Sequence, residues 1–154
     1  MSEENLNRVR QLFPAGMDLA AVFANADSLE AARAGYESSF HPDVETLVDP
    51  VAAPMVELGP DVDREAATGI DGFITLWRDW LTVWETWVLG PPEFVDADED
   101  RVLVLYEVRA QSKTHQVEMR IDTGTVLTLR DGLITRIELF FERAKALEAA
   151  GLSE

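Results

Sequence analysis

The amino-acid sequence predicts an α+β domain in which helices come first and an antiparallel sheet follows. Its 154 residues are close to the usual size of one domain, so we expect a single domain over residues 1–154. In the first half, apolar residues recur at helical spacings. From residue 93 onward they alternate with polar residues, which is the period of half-buried strands. This segregation favours α+β over a parallel α/β sheet.

The N-terminal part is predicted to consist of short helices. Residues 3–13 form a first helical segment that a Pro-Ala-Gly sequence ends. Asp18 caps a helix over residues 19–24, and Ser28 caps another over residues 29–38. We treat residues 1–27 as a helical extension of the domain.

One strand, one long loop and one long helix are expected next. The strand covers residues 44–49, and residues 50–69 are rich in Pro and Gly, as in a loop at a pocket rim. The helix is predicted over residues 71–89 and ends at a Gly-Pro-Pro sequence. Its broad apolar face carries the four tryptophans: Trp77, Trp80, Trp84 and Trp87. Such a stripe is typical of core, although Trp77 or Trp80 could also present an edge to a ligand.

The second half is predicted to be a meander of strands with a closing helix. The strands cover residues 93–95, 101–111, 117–129 and 133–142, and the helix covers residues 143–150.

Charge pairing predicts how the long strands align. A two-residue loop at positions 113–114 places Arg109 opposite Glu118, which joins opposite charges. A three-residue loop at positions 130–132, with Gly132 left-handed, aligns the last two strands. A two-residue loop there would mix charged and apolar residues on both faces, so we reject it.

These alignments give the sheet a charged outer face and an apolar inner face. The outer face carries Glu107, Arg109, Glu118, Arg120, Asp122, Arg136 and Glu138. The polar residues of the inner face are Tyr106, His115, Thr123, Thr125 and Thr135. Because buried polar groups need partners, a site is expected among them.

Composition excludes several classes of function. The net charge of −16 disfavours nucleic acid and anionic membrane surfaces as partners. No apolar run approaches the ~18 residues of a membrane span, and the acidic N-terminus is unlike a signal peptide, so we expect a cytoplasmic protein. Cysteine is absent, no histidine pair has ligand spacing and no phosphate loop is present. We therefore expect no metal and no nucleotide cofactor.

Several stretches resemble one known family. They are DRVLVLYEVRAQ at 100–111, QVEMRIDTGTVLTLRDGLITRIELFFERAKALEAAGL at 116–152, FHPDVE at 40–45 and GIDGFITLWRDWL at 69–81. A strand ending in Arg-Asp-Gly, then Ile-x-Arg-Ile-Glu and a short alanine-rich helix, is similar to the SnoaL-like branch of the nuclear transport factor 2 superfamily. The resemblance implies a cone of N-terminal helices on a curved antiparallel sheet that encloses a pocket.

The resemblance also implies a range of functions, which include polyketide cyclases, steroid isomerases, epoxide hydrolases and non-enzymatic domains. Cyclase-type members place an aspartate six residues ahead of the aspartate in the Asp-Gly turn. This chain has Thr125 at that position, and a threonine does not exchange protons near neutral pH. The resemblance therefore supports the fold more strongly than cyclase chemistry.

Two functions remain open at this point. The first is the binding of a small apolar molecule, such as a polyketide, a terpenoid or a steroid-like compound. Isomerase-, cyclase- or hydrolase-type chemistry on that molecule would be a further step. Tyr106 and His115 are its candidate catalytic residues, although His115 could equally be a rim residue. Its candidate ligand-binding residues are Trp77, Trp80, Met119, Thr123 and Thr125. The alternative is a non-catalytic dimer whose cavity is filled by its own side chains.

We also expect a homodimer built on the outer face of the sheet. The apolar residues expected to be exposed there are Val126, Ile134 and Phe140.

Overall fold

The computed structural model describes residues 3–48, 67–114 and 118–152. The helices are α1 (Glu3–Arg10), α2 (Leu19–Ala24), α3 (Ala26–Ser39), α4 (Gly69–Leu81) and α5 (Arg143–Ala149). The strands are β1 (Phe40–Val48), β2 (Ala67–Thr68), β3 (Trp84–Leu89), β4 (Glu93–Asp96), β5 (Arg101–Ser112), β6 (Glu118–Arg130) and β7 (Leu133–Phe140). The predicted α+β class is confirmed. His115 and most of the predicted 50–69 loop lie outside the described residues.

The strands form one seven-stranded sheet in the order β2-β1-β7-β6-β5-β3, with β4 also paired to β5. All of these pairings are antiparallel except that of β1 with β7. Parallel strands need a long connection and cannot be joined by a tight hairpin. β1 and β7 meet this condition, because α4 and several strands lie between them in the chain. The main core lies between the inner face of the sheet and the helices α1 to α4. No helix among the described residues is long and apolar enough to cross a bilayer.

The N-terminal helices agree with the sequence except at one cap. Asn25, not Ser28, caps α3: its side chain accepts hydrogen bonds from the backbone N–H groups of Asp27 and Ser28. The cap of α2 is as predicted, since the Asp18 carboxylate accepts from Ala20 N–H.

The single helix predicted over residues 71–89 is wrong in its second half. α4 ends at Leu81, and the chain continues as β3 from Trp84. A bulge between Trp84 and Thr86 adds one residue to the strand, so Trp84 and Trp87 both face the core. The three-residue spacing of Trp84 and Trp87, which resembles that of a helix, therefore comes from a bulged strand. The aromatic and β-branched residues of this segment favour extended structure.

The predicted pairing of β5 with β6 is wrong by two residues. Arg109 faces Arg120 instead of Glu118. Exposed charge pairs contribute only about 0.2–1 kcal/mol each, so core packing sets this register. Because the shift is even, the faces are as predicted: Tyr106 and Thr123 are buried, and the charged side chains are exposed.

The connection between β6 and β7 also differs from the prediction. Asp131 and Gly132 form the two-residue turn that the sequence argument rejected, with φ of 54° and 80°. A bulge at Thr135, opposite the step from Thr128 to Leu129, adds one residue and so keeps apolar residues inside. Consequently Ile134 faces the main core, with 1% of its surface exposed.

The outer face is less open than expected because α5 packs on it. Leu103, Leu105 and Val126 form a second apolar cluster with Ala146 and Leu147 of α5. Val126 is therefore buried, and Phe140 packs at the edge of this cluster. The apolar patch on which the homodimer was predicted does not exist in that form.

Candidate ligand-binding site

A small cavity lies between the inner face of the sheet and the N-terminal helices. The volume of this cavity is about 50 Å³. β3, β5, β6 and β7 form its floor, and α3, β1 and α4 supply aromatic walls. The fourth side is closed by residues from the N-terminal part of the chain: Leu12, Phe13, Leu19 and Phe23.

The aromatic walls pack against one another. Tyr36 of α3 stacks on Phe40 of β1, with 5.2 Å between ring centroids. Phe73 of α4 meets both rings edge-on, at 4.9 and 5.0 Å. Trp77, one turn further along α4, continues this wall. Such edge-to-face contacts fix ring orientations and so give the cavity defined, flat surfaces.

The polar centre of the floor is a hydroxyl pair. Tyr106 Oη lies 3.1 Å from Thr125 Oγ1. Thr123 Oγ1 donates a 2.9 Å hydrogen bond to the Tyr106 carbonyl oxygen. The backbone pairing of Tyr106 with Thr123 sets this arrangement, since it places Thr125 one inward-facing position further along β6.

Both tyrosines that line the cavity stay protonated at neutral pH. Burial raises the pKa of the Tyr36 hydroxyl to about 12. Burial also raises the pKa of the Tyr106 hydroxyl, against a smaller opposing effect of its hydrogen bonds with Thr125 and Thr123. These groups therefore suit hydrogen-bond donation better than proton abstraction.

The structure brings together some of the predicted site residues. Tyr106, Thr125 and Trp77 line the cavity. Trp80 does not; its ring packs against Trp87 at 5.5 Å, in the core beside the cavity. Met119 is also wrongly placed by the prediction, because it lies near the end of the β5–β6 hairpin with 38% of its surface exposed.

Two further predicted site residues, Thr123 and His115, are not among the described residues that line the cavity. Thr123 is buried, and its hydroxyl donates a hydrogen bond to the backbone carbonyl oxygen of Tyr106. His115 lies outside the described residues, so its catalytic role stays a prediction.

Sequence reasoning missed the residues that cover the cavity. Leu12, Phe13 and Phe23 are apolar residues at the ends of short helices, where periodicity carries no information about direction. Tyr36 and Phe40 bracket the end of α3 and were likewise missed. No compositional signal marked them, because the aromatic content of the first 40 positions is close to that of the whole chain.

The cavity lining limits the chemistry available. Among the described residues that line it, none is a carboxylate, an imidazole or an amine. Nor does the described part of the chain contain a group of three His, Asp or Glu side chains placed to hold a metal ion. The described lining can bind and orient a molecule and donate hydrogen bonds to it, but it offers no base for proton transfer near neutral pH.

Helices packed over one face of a sheet, with an apolar cavity between the two layers, define the class of fold to which this chain belongs. A family model described as the SnoaL-like domain matches residues 24–137. The chain therefore belongs to the SnoaL-like domain family, as its sequence resemblance implied.

Solved structures agree with this assignment. A nuclear transport factor 2-like protein of unknown function from Burkholderia pseudomallei is 21% identical, with a TM-score of 0.66 over 96% of this chain and 97% of that one. TerC, co-crystallised with polyporic acid, is 23% identical, with a TM-score of 0.65 over 97% and 99%. A candidate SnoaL-like polyketide cyclase from Jannaschia sp. CCS1 is 15% identical, with a TM-score of 0.66 over 91% and 88%. A comparison with functionally curated proteins finds no match.

Proposed function

We propose that this chain binds a flat, largely apolar small molecule in the cavity. The observation that carries the proposal is the hydroxyl pair of Tyr106 and Thr125 on the floor of an otherwise aromatic and aliphatic cavity. Apolar walls with a few placed polar groups are typical of small-molecule sites. A ligand oxygen above this pair would accept a hydrogen bond from Tyr106, while rings of the ligand would lie against Phe73 and Trp77.

The class of ligand is supported by the walls and by relatives of the same fold. Flat, mutually packed rings match fused or linked ring systems, as in aromatic polyketides, terpenoids and steroid-like molecules. TerC was co-crystallised with polyporic acid, and other structural neighbours are named as polyketide cyclases. A net charge of −16 disfavours a strongly anionic ligand.

An enzymatic step is a finer proposal that needs one group beyond the described lining. A protonated Tyr106 could stabilise negative charge that develops on a ligand carbonyl oxygen. The base would then have to come from elsewhere, and His115 is the candidate that the sequence offers. Without such a base, the chain would act as a binding domain.

Fluorescence titration with Prodan, a neutral and flat naphthyl ketone, tests the proposed function. We expect saturable binding of one Prodan per chain. Leu139→Phe puts a larger side chain into the cavity. It should weaken binding at least about tenfold, because a closely packed core cannot easily shift to restore the lost space. Leu147→Phe is the matched control, because Leu147 is similarly buried but belongs to α5, which packs on the other side of the sheet. Equal effects of the two variants, or no saturable binding, would contradict the proposal.

We also propose that the chain forms a homodimer through the charged outer face of β5 and β6. Glu107 faces Asp122 across the two strands, which makes an acidic row. Arg109 and Arg120 form a basic row beside it, and within the described residues neither arginine has an ion pair. A two-fold axis between the rows would set the acidic row of each subunit on the basic row of the other.

Light scattering after size exclusion tests the homodimer. The double variant Arg109→Glu/Arg120→Glu leaves only acidic rows, so we expect monomers at concentrations where the wild type is dimeric. Arg10→Glu/Arg78→Glu makes the same change in net charge at exposed positions on α1 and α4, off this face, and should stay dimeric. A wild type that is monomeric at tens of micromolar, or two double variants that behave alike, would rule out this interface.

A further inference from the structure

Residues 3–13, here called the N-terminal strap, form the first part of the helical layer and end at the cavity. Leu12 and Phe13 at the end of the strap line the cavity. The Phe13 ring packs against the ring of Tyr106, with 5.6 Å between the ring centroids, so the strap contacts the tyrosine of the cavity floor. The match to the SnoaL-like family model begins only at residue 24, beyond the strap.

The strap is held by few contacts. Arg8 Nη1 donates a 2.8 Å hydrogen bond to the carbonyl oxygen of Gly132, in the β6–β7 turn. Val9 is fully buried, and the Arg10 guanidinium lies 5.7 Å from the centre of the Phe94 ring. α1 itself has only eight residues, a length at which a helix is marginal without tertiary support.

The chain is held much more firmly immediately after the strap. Gly16 N–H donates to Leu89 O at 2.7 Å, and Leu89 N–H donates to Met17 O at 2.9 Å. Asp18 then accepts from Trp87 N–H at 2.9 Å. Between the strap and this anchor lie the exposed residues 14 and 15, and Gly16, where the anchor begins, has a φ of 84°. A firm anchor, a short exposed turn and a weakly held segment are the parts of a hinge.

We propose that the N-terminal strap is a hinged lid that pivots at residues 14 and 15, just before the anchor, and is latched by the Arg8–Gly132 hydrogen bond. The inference rests on the proposed binding function, since a cavity of about 50 Å³ cannot admit a multi-ring molecule unless a wall moves. The other walls belong to the sheet and to α2, α3 and α4, which pack against the sheet and against one another more extensively than α1 does. The strap is the wall with the fewest attachments, so its opening exposes the cavity at the lowest cost.

Hydrogen exchange on the ligand-free protein tests the latch without any ligand. The amides of residues 11–13 donate to backbone carbonyls within the strap. They report its opening because a helical segment this short loses its hydrogen bonds once it leaves the sheet. Arg8→Ala should speed their exchange about threefold to tenfold, the range expected for one lost hydrogen bond. Arg8→Lys keeps one donor and should fall between. Glu4→Gln is the control, because it removes only the 3.6 Å ion pair between Glu4 and Arg8 within α1.

Stopped-flow binding of Prodan tests whether the lid controls access. Because the latch holds the strap closed with or without ligand, Arg8→Ala should raise the association and dissociation rates by a similar factor, about threefold to tenfold. The Kd should change by less than about twofold. Exchange and binding rates that are the same in Arg8→Ala as in the wild type would overturn the lid.

The failure of the lid can be told apart from the failure of the proposed function. If Leu139→Phe blocks Prodan but Arg8→Ala changes neither rate, the cavity binds and the strap is not its lid. If Prodan does not bind in the cavity, the proposed function fails, and the exchange of residues 11–13 alone decides whether the strap opens on the Arg8 latch. Should Arg8→Ala fold poorly, Arg8→Lys gives the same comparison with a smaller change.

Discussion

Gly124→Ala should lower the free energy of unfolding by about 2–3 kcal/mol and loosen α5 from the sheet. A Cβ on residue 124 would lie 2.3 Å from the Cβ of Ala146 and 3.3 Å from Cδ2 of Leu105. No real Cβ contact is that short, so α5 must move away from β6. Its displacement would expose Leu103 and Val126, which α5 now covers. In a domain of this size the melting temperature should fall by roughly 6–10 °C, measurable by calorimetry.

Two further variants make this prediction specific. Gly124→Ala/Ala146→Gly removes the clash and should recover more than half of the loss, after the cost of about 1 kcal/mol for a glycine within α5. Gly35→Ala is the control, because Gly35 lies on the exposed side of α3 with no atom within 4 Å of the new Cβ. It should raise stability by about 0.5–1 kcal/mol, through helix propensity alone. A double variant no more stable than Gly124→Ala would show that the contact with α5 is not the cause.

The covered outer face could not be predicted from strand periodicity. Alternation identifies which residues share a face, but not what packs on that face. Val126 alternates with the charged residues of β6, so it was assigned to the surface. The absence of a side chain at Gly124 was the available signal, because a glycine inside a long strand often marks a close approach of another element. A short helix that immediately follows the sheet is the element best placed to make that approach.

The fold class could be predicted because it depends on the spacing of apolar residues over whole helices and strands. The register of the strands could not be predicted, since a single inserted residue changes it. One bulge in β3 made Trp84 and Trp87 appear to continue the helix that carries Trp77 and Trp80. Another, at Thr135, reconciled the two-residue turn with a continuous inner face. Bulges shift the phase of alternation without changing composition, so a sequence argument sees a longer helix or a longer loop in their place.

The predicted site residues lie together where the prediction rested on the faces of strands, and apart where it rested on distance along them. Tyr106 and Thr125 share the inner face under either register, and the observed pairing brings their hydroxyl oxygens into contact. Met119 was placed near them because its alternation suited the inner face. It lies too far along the hairpin to reach the cavity, a fact that only the curvature of the sheet and the position of the helices reveal.

The last expected result is a loss of stability at alkaline pH that comes mainly from the tyrosines. The chain has two tyrosines, and both line the cavity. Burial raises the pKa of Tyr36 to about 12 and raises that of Tyr106 in the same direction. In the unfolded chain both hydroxyls ionise near pH 10. Above that pH the unfolded state has released protons that the folded state still holds, so stability must fall as pH rises.

The size of this effect follows from the shift of Tyr36. A difference of about two pKa units corresponds to about 2–3 kcal/mol of stability, present in full below pH 10 and lost progressively up to pH 12. Tyr106 should add to the loss. Urea unfolding at closely spaced pH values between 9 and 12 measures the slope.

Tyrosine-to-phenylalanine variants assign the slope to residues. Tyr36→Phe removes one ionisable group and should flatten the alkaline decline. Tyr106→Phe should flatten it too, although it also lowers stability at neutral pH, because Thr125 Oγ1 then loses its partner. The two effects separate cleanly, since the lost hydrogen bond shifts the whole curve while the lost ionisation changes only its slope above pH 10. A decline that is equally steep in the wild type and in both variants would mean that neither hydroxyl is held in the protonated form by burial in the cavity wall.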